Sequence, residues 1–259
     1  MDPTLPRRMY LLSLYTEAGE PGLGRYRGLL MRAAALTELS IEGRLGDRDG
    51  RVVVRDASAD ATPSGTTSAD ATPSDATSSD TTSSEAGTDD DAATTADSFL
   101  AEPPSDPFLA EALREVAADK PRHWIAFLLR DAHTAEAAVR EQLGDTGVIT
   151  VRQGRALGVL PTRKVTVNTP EEVRVLREKA RNAVLLGPDP ATVPVDETAM
   201  AVLAAEGEIE SVFTLTERWK HRKAFAALGD QFDAVVPGLR QALRAAVASS
   251  RSAGGGWSR

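Results

Sequence analysis

The sequence predicts a mainly α-helical fold: a single compact helical domain with two small β-hairpins, interrupted by a disordered acidic insertion. Three observations predict it. Apolar residues recur three or four positions apart over most of the chain, which is typical of amphipathic helices. Two short runs rich in Val, Ile and Thr follow a glycine, as hairpin strands do. Residues 57–98 contain no large apolar side chain.

Residues 57–98 form the predicted insertion, with nine acidic residues, no Lys or Arg, and S-A-D-A-T-P-S written twice. Such a segment buries too little apolar surface to offset the entropy lost on ordering, so we expect a disordered, tolerated loop insertion rather than a charged tail with its own role. The helical domain then comprises residues 1–56 and 99–250, with a flexible tail at 251–259. The formal net charge of the whole chain is -8, and the nine acidic residues of the insertion account for it, so the helical domain is close to neutral. A strongly basic nucleic-acid domain is therefore excluded.

The first block predicts an apolar segment at residues 9–14, a Gly- and Pro-rich turn, a helix at 26–41 and a hairpin. Asp49-Gly50 supplies the positive-φ turn of that hairpin. A similar unit follows about 104 positions later, where Gly147 corresponds to Gly43. We expect its hairpin to run through 148–151, turn at 152–154 and return through 156–160.

The remaining segments predict helices. Asp106-Pro107 offers an N-cap and a first-turn proline. Thr169-Pro170, with Glu172 at the third position, has the pattern of a capping box. Apolar stripes predict further helices around Trp124 and at 195–206, 216–228 and 232–249, with Pro237 marking the true start of the last or a kink in it.

Several kinds of chemistry find no support in the sequence. There is no cysteine, and the three histidines, His123, His133 and His221, are dispersed outside metal-binding or catalytic motifs. We therefore predict no catalytic residue, no metal and no cofactor. No apolar run approaches the roughly 20 residues that span a bilayer, so we expect a cytoplasmic protein.

Arginine supplies the strongest candidate binding groups. Arg25, Arg27 and Arg32, with Tyr26, lie where a glycine-rich turn meets the start of a helix, and helix N-termini favour anions. The densest basic run is 218–223, and Arg174, Arg177 and Arg181 share one helix face. Either group could attract phosphates, although ordinary solvated helix faces explain both.

The order of motifs resembles the Golgi phosphoprotein 3 family, in particular its bacterial members. The matching stretches are A-L-T-E-L-S-I-E-G-R-L at 35–45, D-G-R-V-V-V at 49–54, D-P-F-L-A-E-A-L at 106–113, W-I at 124–125, G-V-I at 147–149 and L-P-T-R at 160–163. The resemblance implies a mainly helical domain with a protruding hairpin that docks peripherally on membranes by binding phosphatidylinositol 4-phosphate.

The resemblance also implies a head-group pocket. Its helix arginine falls on Arg32, its loop tryptophan on Leu23, and its two later arginines on His133 and Glu136. Cations near in sequence could replace those that are missing. The candidate head-group residues are Arg32, Arg25, Tyr26, Arg27, His133 and Arg130.

The second hairpin carries candidate apolar anchors, Leu157, Val159 and Leu160, which could enter a membrane, pack on the protein's own core or contact a second subunit. We therefore expect a non-enzymatic protein that is peripheral on the cytoplasmic membrane face and binds an anionic phospholipid surface. One alternative is a scaffold that oligomerises through this hairpin. The other is a winged-helix nucleic-acid binder, but residues 33–41 and 135–143 contain Arg140 as their one cation, so no nucleic-acid partner is expected.

Overall fold

The computed structural model describes residues 3–14, 26–55, 103–156 and 160–254, with the backbone alone at 153–156, 160–163 and 252–254. The predicted insertion at 57–98 lies outside the described residues. The described residues within 1–54 and 104–259 group into one compact unit. The mainly helical fold class with two small hairpins is confirmed.

The described residues form ten α-helices and five strands. The helices are α1 (Leu5–Leu14), α2 (Arg27–Ile41), α3 (Pro107–Ala118), α4 (Trp124–Leu129), α5 (Ala132–Asp145), α6 (Pro170–Leu185), α7 (Val195–Glu206), α8 (Leu215–Lys220), α9 (Arg222–Val235) and α10 (Leu239–Gly254), with a 3₁₀ turn at Pro190–Thr192. The strands are β1 (Leu45–Arg48), β2 (Arg51–Val54), β3 (Arg122–His123), β4 (Ile149–Ala156) and β5 (Leu160–Val167). The antiparallel sheets are β1-β2-β3 and β4-β5.

Helix α2 is the centre of the core. Twelve of its 15 residues are buried, and it contacts α1, α3, α4, α5, α7 and α10. A helix that is buried on all sides needs small or apolar residues around its whole circumference, which the run of Leu, Met and Ala in α2 provides. The Arg32 side chain is the buried charge within this run, so it requires a partner inside the protein.

The two helix-hairpin units end their helices in the same way. Gly43 and Gly147, which close α2 and α5, have φ of 74° and 71°. The next amide reaches back to the helix in both units: Arg44 N–H donates to Leu39 O at 2.8 Å, and Val148 N–H to Leu143 O at 3.0 Å. The offset of 104 seen in the sequence therefore corresponds to a repeated helix end.

The two predicted helix caps have different outcomes. The Asp106 carboxylate accepts from the amides of Phe108 and Leu109 at 2.8 and 3.3 Å, which confirms the cap of α3. Thr169 precedes α6 but makes no side-chain capping hydrogen bond, so the prediction of a capping box at this helix is wrong. Its ψ of 63° departs from the extended geometry that Asp106 has, with ψ of 122°. A capping box that the prediction missed joins Thr214 and Glu217 at α8.

The second hairpin is longer than the sequence predicted. Its register pairs Ile149 with Val167 and Val151 with Val165, so residues 152–154 belong to β4 and the turn predicted there is wrong. This register places four β-branched side chains on one face, which a turn at 152–154 would not allow. The connection between the strands falls at 157–159, outside the described residues.

The C-terminal helices also differ from their predicted bounds. The helix predicted at 216–228 divides at His221 into α8 and α9, and α10 begins at Leu239, so Pro237 marks a true start. Helix α10 continues to Gly254, whereas a flexible tail was predicted from 251. Arg251 forms an ion pair with Glu208, which holds this end of the helix against the body of the protein.

Glu38 connects α2 to the start of α1. Its Oε2 accepts a hydrogen bond from Leu5 N–H at 2.7 Å. Burial raises the pKa of Glu38 from 4.5 to about 7, and this outweighs the lowering by the Leu5 hydrogen bond. Because the folded state binds this proton more tightly than the unfolded state, the contribution of Glu38 to stability is full below pH 4.5 and is lost as the pH rises to about 7.

We therefore expect Glu38→Gln to flatten the dependence of stability on pH across this window. The variant removes the cost of a desolvated carboxylate while its amide oxygen still accepts the Leu5 N–H. Above the folded pKa of about 7, the free energy of unfolding should rise by about 1–2 kcal/mol after solvent screening. Urea unfolding at a series of pH values measures this change in the free energy of unfolding. Glu141→Gln is the control, because Glu141 is exposed. An unchanged pH slope in Glu38→Gln would contradict the assignment.

Candidate functional site

Arg32 was the centre of the expected head-group site, and the structure gives it a different role. Its side chain is only 6% exposed. Its Nε donates to Phe127 O at 2.6 Å, and its two terminal nitrogens donate to the two carboxylate oxygens of Glu115, one of them at 3.3 Å. The guanidinium is thus neutralised inside the protein and joins α2 to α3 and α4. This geometry argues against Arg32 as a head-group ligand and assigns it to the core.

A cleft of about 200 Å³ lies beside Arg32, between α2, α3 and α5. Its walls include two carboxylates, Glu111 and Glu115, and the amide of Gln142. The Arg32 guanidinium, which is already bonded to Glu115, is the one cation among the described residues that line the cleft. Because Arg32 is already bonded to Glu115 and Glu111 forms an ion pair with Arg114, the described part of the cleft wall offers no unpaired cation to a phosphorylated head group.

Arg27 takes part in a second ion-pair cluster, where α1, α2 and α5 meet. Its NH1 lies 3.3 Å from Glu136 Oε1, and Arg140 NH1 lies 3.4 Å from the same oxygen. The Arg27 guanidinium also lies 5.9 Å from the centre of the Tyr10 ring. Burial, with a contribution from Glu136, raises the pKa of the Tyr10 hydroxyl, so that hydroxyl stays neutral. Glu136, at the position where the resemblance implies an arginine, therefore organises two cations around a carboxylate.

The other candidates do not join these residues in one cradle. Arg130 forms an ion pair with Asp119, so the described arginines of the predicted set bond three different carboxylates. Tyr26 is buried directly before α2 and makes no side-chain capping bond. His133 is exposed near the start of α5. Arg25 lies outside the described residues.

The hairpin β4–β5 offers a concentration of positive charge that the sequence reasoning missed. Residues 146–169 contain Arg152, Arg155, Arg163 and Lys164 but no Asp or Glu, and this imbalance is the signal that could have revealed it. The register places Arg152 directly opposite Lys164, and both side chains are exposed. No carboxylate of the described residues lies within ion-pairing distance of either. Like charges directly opposite each other destabilise a strand pair.

The start of the hairpin becomes more exposed with distance from α5. Ile149 is 2% exposed, whereas Val151, two residues further, is 38% exposed. Of the predicted apolar anchors, Leu157 and Val159 lie outside the described residues, and the backbone of Leu160 pairs with Ala156 at the end of the ladder. The anchoring role of these three residues stays a prediction.

Comparisons with known proteins identify the family. Among the described residues, no helix combines the length and the apolar character that crossing a bilayer requires. No curated protein matches the chain. The sequence profile described as Golgi phosphoprotein 3 (GPP34) matches residues 5–85 and 80–246, which is most of the chain. Both hairpins and the described helices fall within these limits, except that α10 continues past residue 246 to Gly254. The chain therefore belongs to the Golgi phosphoprotein 3 family.

Proposed function

We propose that the protein docks peripherally on membranes that contain anionic phospholipids, with the hairpin β4–β5 as the contact. The observation that carries the proposal is the pair Arg152 and Lys164: two exposed cations, directly opposite in the register, in a segment with four cations and no acid. An anionic surface would relieve their mutual repulsion. Each cation near such a surface contributes about 1 kcal/mol of attraction.

The sequence of the hairpin supplies a second element that membrane binding needs. Residues 156–160 read A-L-G-V-L, an apolar stretch between two cationic strands. Peripheral attachment becomes stable when an apolar anchor and a basic patch act together, because neither alone binds strongly. Leu157, Val159 and Leu160 are the anchors in this proposal.

Membership of the family supports a lipid-binding role, and the resemblance implies phosphatidylinositol 4-phosphate as the lipid. The ion pairs of Arg32 and Glu136 favour binding by local charge over a closed pocket for one head group. On this proposal the protein acts by binding alone, at the cytoplasmic membrane face and without a cofactor. Self-association through the hairpin is the less favoured role, because a second copy would bring further positive charge against Arg152 and Lys164.

Reversing the charge of this pair tests the proposal. We expect Arg152→Glu with Lys164→Glu to weaken binding to anionic vesicles by at least about tenfold, since two attractions become repulsions. The variant keeps like charges opposite each other, so the strand pairing is perturbed no more than in the wild type. Co-sedimentation measures it, with vesicles of phosphatidylcholine alone, with added phosphatidylserine, or with phosphatidylinositol 4-phosphate at matched charge.

A matched control is Lys120→Glu with Lys179→Glu, because both lysines are exposed and the change in net charge is the same. This control should retain vesicle binding, and the binding of the wild type should weaken as salt is added. Equal loss in both double variants, or no binding of the wild type to any anionic vesicle, would overturn the proposal. Preference for phosphatidylinositol 4-phosphate over phosphatidylserine at matched charge would show that the lipid is selected by more than charge.

A further inference from the structure

A cleft of about 330 Å³ lies among α7, α8, α9 and α10, away from the hairpin. Four arginines line it, Arg218, Arg222, Arg240 and Arg244, together with Glu206 and the ring of Phe225. A volume of this size accommodates a small organic molecule. The basic run 218–223, which the proposed function does not use, contributes two of these arginines.

The two arginines from α10 are held in place by carboxylates. Arg244 Nε donates to Glu206 Oε2 at 2.9 Å, and Arg240 Nε donates to the Asp233 oxygens at 3.0 and 3.2 Å. These hydrogen bonds raise the pKa of both arginines, so both stay charged. Gly229 leaves the space for Arg240, since a Cβ there would lie 2.3 Å from its NH1. One wall of the cleft is therefore made of two guanidinium groups that carboxylates fix in place.

The other two arginines have no carboxylate of the described residues within ion-pairing distance. Arg218 NH1 donates to Ala205 O at 3.0 Å, while its buried Nε has no hydrogen-bond partner among the described residues. The Arg222 guanidinium lies 5.7 Å from the ring of Trp219, which is 73% exposed. Asp230 Oδ1 also lies 3.9 Å from Arg240 NH2, so four guanidinium groups face three carboxylates, those of Glu206, Asp230 and Asp233. The two cleft arginines that no carboxylate of the described residues neutralises are Arg218 and Arg222.

We propose that this cleft binds a phosphate-bearing group between Arg218 and Arg222, with the apolar part of the ligand against Phe225. The fork of a guanidinium matches the oxygens of a phosphate and bonds it in pairs. Arg222 is the first residue of the 14-residue helix α9, so the positive end of that helix adds to the attraction. The group could belong to a soluble phosphate ester or to a lipid head group.

Calorimetric titration with phenyl phosphate, inorganic phosphate and phenol tests the site. We expect saturable binding of phenyl phosphate, weaker binding of inorganic phosphate, and none of phenol. Arg222→Met should weaken the binding of phenyl phosphate about tenfold, and Arg218→Met with Arg222→Met should weaken it further. Lys223→Met is the matched control, because Lys223 is exposed one residue away and does not line the cleft. Circular dichroism checks that each variant is folded.

Vesicle binding then separates the two sources of the phosphate. If the ligand is soluble, Arg222→Met weakens phenyl phosphate binding but keeps wild-type binding to anionic vesicles. If it is a head group, the variant weakens both. The charge-reversed hairpin variant should keep phenyl phosphate binding in either case, so this site and the proposed function fail independently. Absence of saturable binding by the wild type, or binding that survives Arg222→Met unchanged, would overturn the inference.

Discussion

Gly28→Ala should destabilise the protein by about 3 kcal/mol or more. Gly28 lies in the first turn of α2, where it faces the start of α5. A Cβ at this position would lie 1.7 Å from Ala132 O and 2.5 Å from its carbonyl carbon. Both are backbone atoms, which cannot move aside as the end of a flexible side chain can. The two helices must therefore separate. Urea unfolding followed by circular dichroism measures the effect.

Gly144→Ala is the matched control for this prediction. Gly144 is also a helical glycine, near the end of α5, but nothing lies within 4 Å of a Cβ there. Alanine at this position should stabilise the protein by about 0.5–1 kcal/mol, because it restricts the unfolded chain and favours the helix. If Gly28→Ala unfolds at the same urea concentration as the wild type, the close approach of α2 and α5 is contradicted.

Arg32→Met should cost about 3–5 kcal/mol of stability, because it leaves Glu115 and Phe127 O without their buried partner. This is a large share of the 5–15 kcal/mol that keeps a typical domain folded. Methionine retains most of the length of the arginine stem, so it leaves little cavity. The loss of stability therefore measures the contribution of the charge and the hydrogen bonds. Chemical unfolding measures the difference in the free energy of unfolding. Glu115→Gln changes the other partner of the ion pair and should cost less stability.

Arg174→Met is the control for Arg32. Arg174 forms ion pairs with Glu171 and Glu178, but it lies on the exposed face of α6, so its removal should change stability little. The decisive result concerns function. If Arg32→Met unfolds like the wild type but no longer binds anionic vesicles, Arg32 is a lipid ligand and its structural role is contradicted.

Local signals in the sequence predicted the parts of the fold that depend on neighbouring residues. Asp49-Gly50 has φ of 55° and 76°, as a tight hairpin turn requires, and Asp106 caps α3. Gly43 and Gly147 end their helices at a constant offset. In each case the geometry depends on contacts within a few positions, so the residue type alone carried the information.

Long-range partners could not be predicted in this way. Glu115 is 83 positions from Arg32, and nothing in either segment points to the other. The register of β4–β5 depends on Val165 and Val167, beyond the strand that the sequence predicted. A sequence signal for Arg32 did exist, however. Because Arg32 lies within a run of Leu, Met and Ala, its guanidinium had to be buried and therefore paired.

The short strand β3 completes the first sheet from far along the chain. His123 Nδ1 lies 3.0 Å from Gly50 O, 73 positions earlier, while β1 and β2 meet across a two-residue turn. Closing so long a loop is slow, so we expect β1 and β2 to pair early in folding and β3 to join them late. The entropy of closure grows only with the logarithm of loop length, by about 0.6 kcal/mol per doubling. The number of residues between β2 and α3 should therefore affect the rate at which this sheet forms far more than the stability of the sheet.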